Sequence, residues 1–132
     1  MVVLTDGLDN HSDGTIQDVV RDAQRNDVVI YAIRYGRQYE SQIVLGHYYF
    51  APDAEAVLKK LTLPTGGRVF PPAYGRETLA KVYETIRQDL QSQYRMEYVP
   101  PKSKPGKYHS IYLRTKDSRM TVYAREGYYS PQ

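Results

Sequence analysis

The residues best suited to chemistry stand in one stretch near the amino end, Thr5-Asp6-Gly7-Leu8-Asp9-Asn10-His11-Ser12-Asp13-Gly14. Carboxylates, an amide and hydroxyls dominate it, and these are the oxygen ligands that a hard divalent cation takes. An apolar run, Val2-Val3-Leu4, precedes the stretch and a helical pattern follows it. A buried strand that ends in a carboxylate and leads into a helix is where open α/β sheets hold their ligands. Spacing excludes a calcium loop. If Asp9, His11, Asp13 and Gly14 opened an EF-hand, its twelfth position would need a bidentate Glu, and Val20 stands there. Catalysis draws little support, because His11, His47 and His109 are scattered and none shares a motif with a Ser nucleophile. No enzyme activity is expected.

The elements that must position this loop can be read from periodicity. Ile16, Val19, Val20 and Ala23 recur at helical spacing, with Asp18, Arg21, Asp22 and Arg25 opposite them. This predicts a helix over 15–25, capped by Asp13 or Thr15 and ended at Asn26-Asp27. The β-branched and aromatic run 28–33 reads as a buried parallel strand, completing a βαβ unit. Residues 34–52 show no clear period and read as a long loop with a short helical or extended turn. Asp53 would cap a helix over 53–62 whose apolar face is Ala54, Val57, Leu58 and Leu61, with Pro64 ending it. Thr65-Gly66-Gly67 turns into a short strand over 67–70; without a GxGxxG or Lys-Ser/Thr pattern it is a weak phosphate cradle. Leu79, Val82, Tyr83, Ile86, Leu90 and Tyr94 predict a sheet-covering helix over 77–93.

From Tyr94 the period becomes two, and strands are expected at 94–99, 108–114 and 120–125, an antiparallel meander. Charge changes at the same point. Residues 1–93 carry ten Lys/Arg against twelve Asp/Glu, whereas residues 94–132 carry eight against three. The chain is therefore divided into 1–93 and 94–132. Fourteen Tyr with two Phe and no Trp suit half-exposed sheet faces. The absence of Cys removes disulfides, thiolate metal sites and Cys nucleophiles. No apolar run nears the ~20 residues that span a bilayer, and no secretory signal is visible. Lys102, Lys104, Lys107, Arg114, Lys116, Arg119 and Arg125 could meet phosphates of an anionic polymer. Lys at sheet edges also keeps sheets apart and no RNA-binding motif is present, so nucleic acid is the less favoured partner.

Val2-Val3-Leu4-Thr5-Asp6-Gly7 resembles the fourth-strand segment of a von Willebrand factor type A (VWA) domain, and Thr65-Gly66-Gly67 resembles the turn before that domain's last strand. Gln93-Tyr94-Arg95-Met96-Glu97-Tyr98-Val99-Pro100, a basic hairpin and Ala124-Arg125-Glu126-Gly127-Tyr128-Tyr129 resemble the bacterial VWFA-related domain family, in which a VWA domain precedes a β appendage ending in R-x-G-Y-Y. The match runs over nearly the whole chain. It implies the carboxy-terminal half of a VWA-like, Rossmann-like α/β domain with parallel strands and flanking helices, then a small antiparallel meander. It also implies that Asp6 belongs to the third loop of a metal-ion-dependent adhesion site for Mg²⁺ or Mn²⁺. Thr5, Gly7, Asp9, Asn10, Arg34 and Tyr35 would then lie in the ligand-binding loops.

The family's DxSxS and Thr loops are absent from this sequence, so a partial site is expected, with metal weak or absent. For the chain alone, a strand-end Asp6 that caps its loop is favoured. The leading expectation is protein–protein recognition of VWA type, through loops around Thr5–Asp13 and Arg34–Tyr39. The alternative is a metal-free interaction module that pairs through the apolar edge of strand 2–5, with a missing amino-terminal half or a second copy. Periplasmic or secreted placement is implied by the resemblance alone.

Overall fold

A computed structural model describes residues 1–7, 13–35, 42–44, 47–49, 54–72, 75–100 and 102–130. The elements are β1 (Val2–Thr5), α1 (Ile16–Arg25), β2 (Tyr31–Arg34), β3 (Gln42–Val44), β4 (His47–Tyr49), α2 (Ala54–Thr62), β5 (Val69–Phe70), α3 (Arg76–Gln91), β6 (Tyr108–Ser110) and β7 (Gly127–Tyr129). The class is α/β, as the periodicity implies. β1, β2 and β5 form a parallel sheet in the order β1-β2-β5, with Leu4 beside Ile33 and Ile33 beside Phe70. Continuous β-branched and aromatic residues suit such a strand because helices cover both its faces.

On one face, Tyr31, Ile33 and Phe70 pack with Val82 and Ile86 of α3, joined by Val29 and Leu79. On the other, α2 lies against β2 and β5 and also meets α1. Ile30 and Ala32 are fully buried, and Leu58 and Ala23 nearly so. α1 starts in a capping box: the Thr15 hydroxyl accepts from the Asp18 amide at 3.2 Å, and the Asp18 carboxylate accepts from the Thr15 amide at 3.1 Å. Asn26 closes α1 and Asp27 takes a φ of 55°, a left-handed residue just past a helix. The Asp53 cap predicted for α2 lies outside the described residues.

Thr65-Gly66-Gly67 is fully accounted for by packing. The Thr65 hydroxyl donates to the Thr62 carbonyl at 2.7 Å and accepts the Ile30 amide at 2.9 Å, tying α2 to the start of β2. Gly66 takes a φ of 86°. A side chain on Gly67 would sit 1.8 Å from the Ile30 carbonyl oxygen, so only glycine lets the chain pass there.

The carboxy-terminal region departs from the expected meander. Residues 94–99 form no strand; α3 ends at Gln91 and Tyr94 is 94% exposed. Tyr alternating with Arg and Glu mimics a half-buried strand, but no described segment pairs with it and Pro100-Pro101 follows. Residues 120–125 also make no ladder beyond one bridge from Arg125 to Thr65. The second strand is instead β7, antiparallel to β6 with His109 beside Tyr128. Gly127 permits that pairing, since a Cβ there would meet the Tyr108 ring at 2.3 Å. The 34–52 region, read as a loop, contains the antiparallel pair β3–β4.

Candidate functional site

The carboxyl ends of β1 and β2 bring together five of the seven residues singled out from sequence. Thr5 stands beside Arg34 in the ladder, and the Tyr35 amide donates to the Thr5 carbonyl at 2.8 Å. The chain then turns at Gly7, whose φ is 81° and whose amide donates to Thr5 Oγ1 at 3.1 Å. This turn needs glycine twice over, for its φ and because a Cβ would lie 2.8 Å from the Ala54 Cβ at the start of α2. Asp6 and Arg34 are half-buried and Tyr35 is exposed. Asp9 and Asn10 lie outside the described residues, as do Gly36–Tyr39.

What can this cluster hold? A Mg²⁺ or Mn²⁺ ion takes about six oxygens in near-octahedral order. The described residues offer one carboxylate, Asp6, which is already engaged within the molecule, and a Thr5 hydroxyl that accepts the Gly7 amide. A guanidinium, Arg34, stands on the adjacent strand, and its Nε finds no hydrogen-bond partner among the described residues. No group of three or more His, Cys, Asp or Glu converges among the described residues. These residues alone do not fit a divalent-ion shell.

A second surface lies along β1. The carbonyls of Met1 and Thr5 accept from Tyr31 and Tyr35, so in a parallel ladder the amides and carbonyls of Val2 and Leu4 point to the outer edge. Among the described residues no strand pairs with that edge. The side chains of Val2 and Leu4 share the α3 face with Tyr31 and Ile33, yet they remain 38% and 53% exposed. The position of α3 explains this. Its Asp89 pairs with Arg68 at 2.7 Å, just before β5, which draws the helix toward that side of the sheet. Tyr83 and Leu90, roughly 100–120° around the helix from Asp89, are exposed.

Sequence reasoning set His109 aside as isolated. The structure surrounds its imidazole with the hydroxyls of Ser103 and Ser130. The only signal for this was the pairing of β6 with β7, which the three-strand reading had missed.

No family model matches this chain, and no curated protein matches it. Among solved structures it is similar to an uncharacterized membrane spanning protein from Vibrio fischeri, at 23% identity and a TM-score of 0.49. That likeness covers 70% of this chain and 46% of the other, so the chain spans about half the length of that structure. Among the described residues no helix is long and apolar enough to cross a membrane.

Proposed function

We propose that this chain is a protein–protein recognition module whose contact surface is the open flank of β1. The observation that carries the reading is the edge of Val2–Thr5, which no strand pairs with among the described residues and along which Val2 and Leu4 are exposed. A protein that leaves a strand edge unblunted offers main-chain hydrogen bonds to an incoming strand. Val2 and Leu4 add apolar area at about 25 cal/mol per Å² once covered. Natural edges are usually guarded by Lys, Pro or a bulge; Val2-Val3-Leu4-Thr5 has none of these. The partner is a protein segment presenting an apolar strand, and a second copy of this chain can supply one.

Sedimentation velocity over a wide concentration range tests this. The expected result is reversible self-association that Leu4→Lys abolishes, because the ammonium would be trapped beside another apolar strand. A chain that stays monomeric at about 200 μM, where contacts near the millimolar-to-micromolar limit would register, sinks the reading.

A second reading has its own support. Thr5, Asp6, Gly7, Arg34 and Tyr35 meet at one end of the sheet, as they would in the VWA-type site that the sequence resembles. There Asp6 would hold Mg²⁺ or Mn²⁺ with ligands beyond these residues, and the ion would recruit a carboxylate from the partner. Calorimetric titration with Mn²⁺ beside Asp6→Ala decides it. Saturable heat lost in the variant supports the reading, and flat traces for both folded proteins remove it.

A further inference from the structure

We propose that the carboxy-terminal region holds an anion site, built by Ser103, His109 and Ser130 and flanked by Lys102, Lys104 and Lys107, that takes a phosphate or phosphomonoester group. Nε2 of His109 lies 2.9 Å from both hydroxyl oxygens, which are themselves 2.5 Å apart. His109 and Ser130 are positioned by backbone. His109 sits opposite Tyr128 in the β6–β7 pair, and the Tyr128 ring stacks on its imidazole at 5.1 Å and 15°. Ser130 extends that pair: its amide donates to the Lys107 carbonyl at 2.8 Å, and its carbonyl accepts from the Gly106 amide at 3.1 Å. The imidazole edge is thereby aimed at two hydroxyls that arrive from 6 and 21 residues away.

Counting protons shows what this triangle can offer. With the lone pair on Nε2, one hydroxyl donates to nitrogen and the other donates to the first, so no hydrogen is left over. With a proton on Nε2, the ring donates to one oxygen, that hydroxyl donates to the second, and the last O–H is free to point outward. An anion at the mouth selects this second arrangement, because it accepts that free O–H in a charge-assisted bond.

The surroundings favour an anion strongly. Lys102, Lys104 and Lys107 line an open concavity of about 680 Å³ together with Ser103. None of the three pairs with a carboxylate among the described residues, whereas Arg95 and Arg119 of the same region pair with Glu97 and Asp117. Three ammonium groups and an outward hydroxyl match the several oxygens and double charge of a phosphate better than a single carboxylate. One face of the Tyr128 ring is covered by His109. The phosphate group itself is the recognised element, whether as free ion or as a monoester.

The experiment is an amide-resolved NMR titration of the full chain with inorganic phosphate and with O-phosphoserine, ionic strength being held constant with sodium chloride. Saturable shifts at residues 102–109 and 130 are expected, weakened by about tenfold or more in Ser103→Ala/Ser130→Ala, as for loss of hydrogen bonds to a charged group. The exposed triple variant Lys102→Gln/Lys104→Gln/Lys107→Gln must also lose saturation, and it guards against misfolding of the serine variant. Tighter binding of phosphoserine assigns a monoester; equal binding assigns the free ion. Unsaturable shifts in the unaltered chain overturn the proposal. So does undiminished binding in either variant, the serine result leaving only a diffuse basic surface.

Discussion

Leu4, Ile33 and Phe70 form one row across the parallel sheet, on one face, in register. Ile33 is 0% exposed and Phe70 7%, but Leu4 is 53% exposed. The difference comes from what each side of the sheet meets. On the β5 side, Arg68 ties α3 through Asp89 and lies over the rings of Phe70 and Tyr123, the latter from the carboxy-terminal region. That region also bridges to Thr65 through Arg125, and the Glu126 amide donates to the Pro64 carbonyl at 3.1 Å. On the β1 side nothing among the described residues plays these parts. One sheet thus has a closed flank and an open one, although the apolar sequence of β1 calls for cover as much as that of β5.

The closed flank should be where substitutions cost most. Phe70→Ala removes a buried ring that packs with Tyr31 and carries Arg68 above it. A loss of about 3–5 kcal/mol is expected in urea or guanidinium unfolding, as for other buried aromatics. If the loss is under about 1 kcal/mol, the flank is not closed in solution and the contrast fails. Thr65→Val should come next. It keeps the shape but strands the Ile30 amide, which Thr65 now satisfies. An unsatisfied buried donor costs about 1–3 kcal/mol, and retention of full stability would mean that the amide finds another acceptor.

How much of this was legible in the sequence depends on whether the signal was local. Helical spacing at Ile16–Ala23 and the apolar run 28–33 gave the βαβ unit, although Val19 of that helical face is exposed and Gln24 is buried instead. Thr65-Gly66-Gly67 was legible as a turn, but its reason was not: Gly67 is needed because Ile30, just before β2 and 37 residues away in sequence, passes within contact. Of the expected carboxy-terminal strands, 108–114 is present in part as β6, and 94–99 and 120–125 were misread for the converse reason. Tyr94, Met96 and Tyr98 alternate correctly, yet a strand exists only if a partner accepts its hydrogen bonds, and alternation cannot reveal the partner. Gly127-Tyr128-Tyr129 carried little alternation and became a strand because β6 lies beside it. Thr5, Asp6, Gly7, Arg34 and Tyr35, which the resemblance to a VWA domain implied, stand together because strand ends in parallel sheets converge by rule. Ser103, His109 and Ser130 converge only through the β6–β7 register, which no spacing encodes.

The smallest stability effect is expected at the open flank, and its smallness is the point. Leu4→Lys replaces an apolar residue in the same row as Phe70, but about half of the Leu4 surface already meets water. Its long apolar stem can cover the same strip while the ammonium reaches solvent. The change in unfolding free energy should therefore lie within about 0.5 kcal/mol, measured at concentrations too low for association. The same substitution is the one expected to abolish self-association, so a single variant separates folding from docking. A loss of about 2 kcal/mol or more in the dilute chain would mean that Leu4 is covered in solution and that β1 is a core strand rather than an open edge. A neutral effect on folding together with lost association would identify the exposed apolar edge as a surface kept for a partner, since it contributes almost nothing to the fold that carries it.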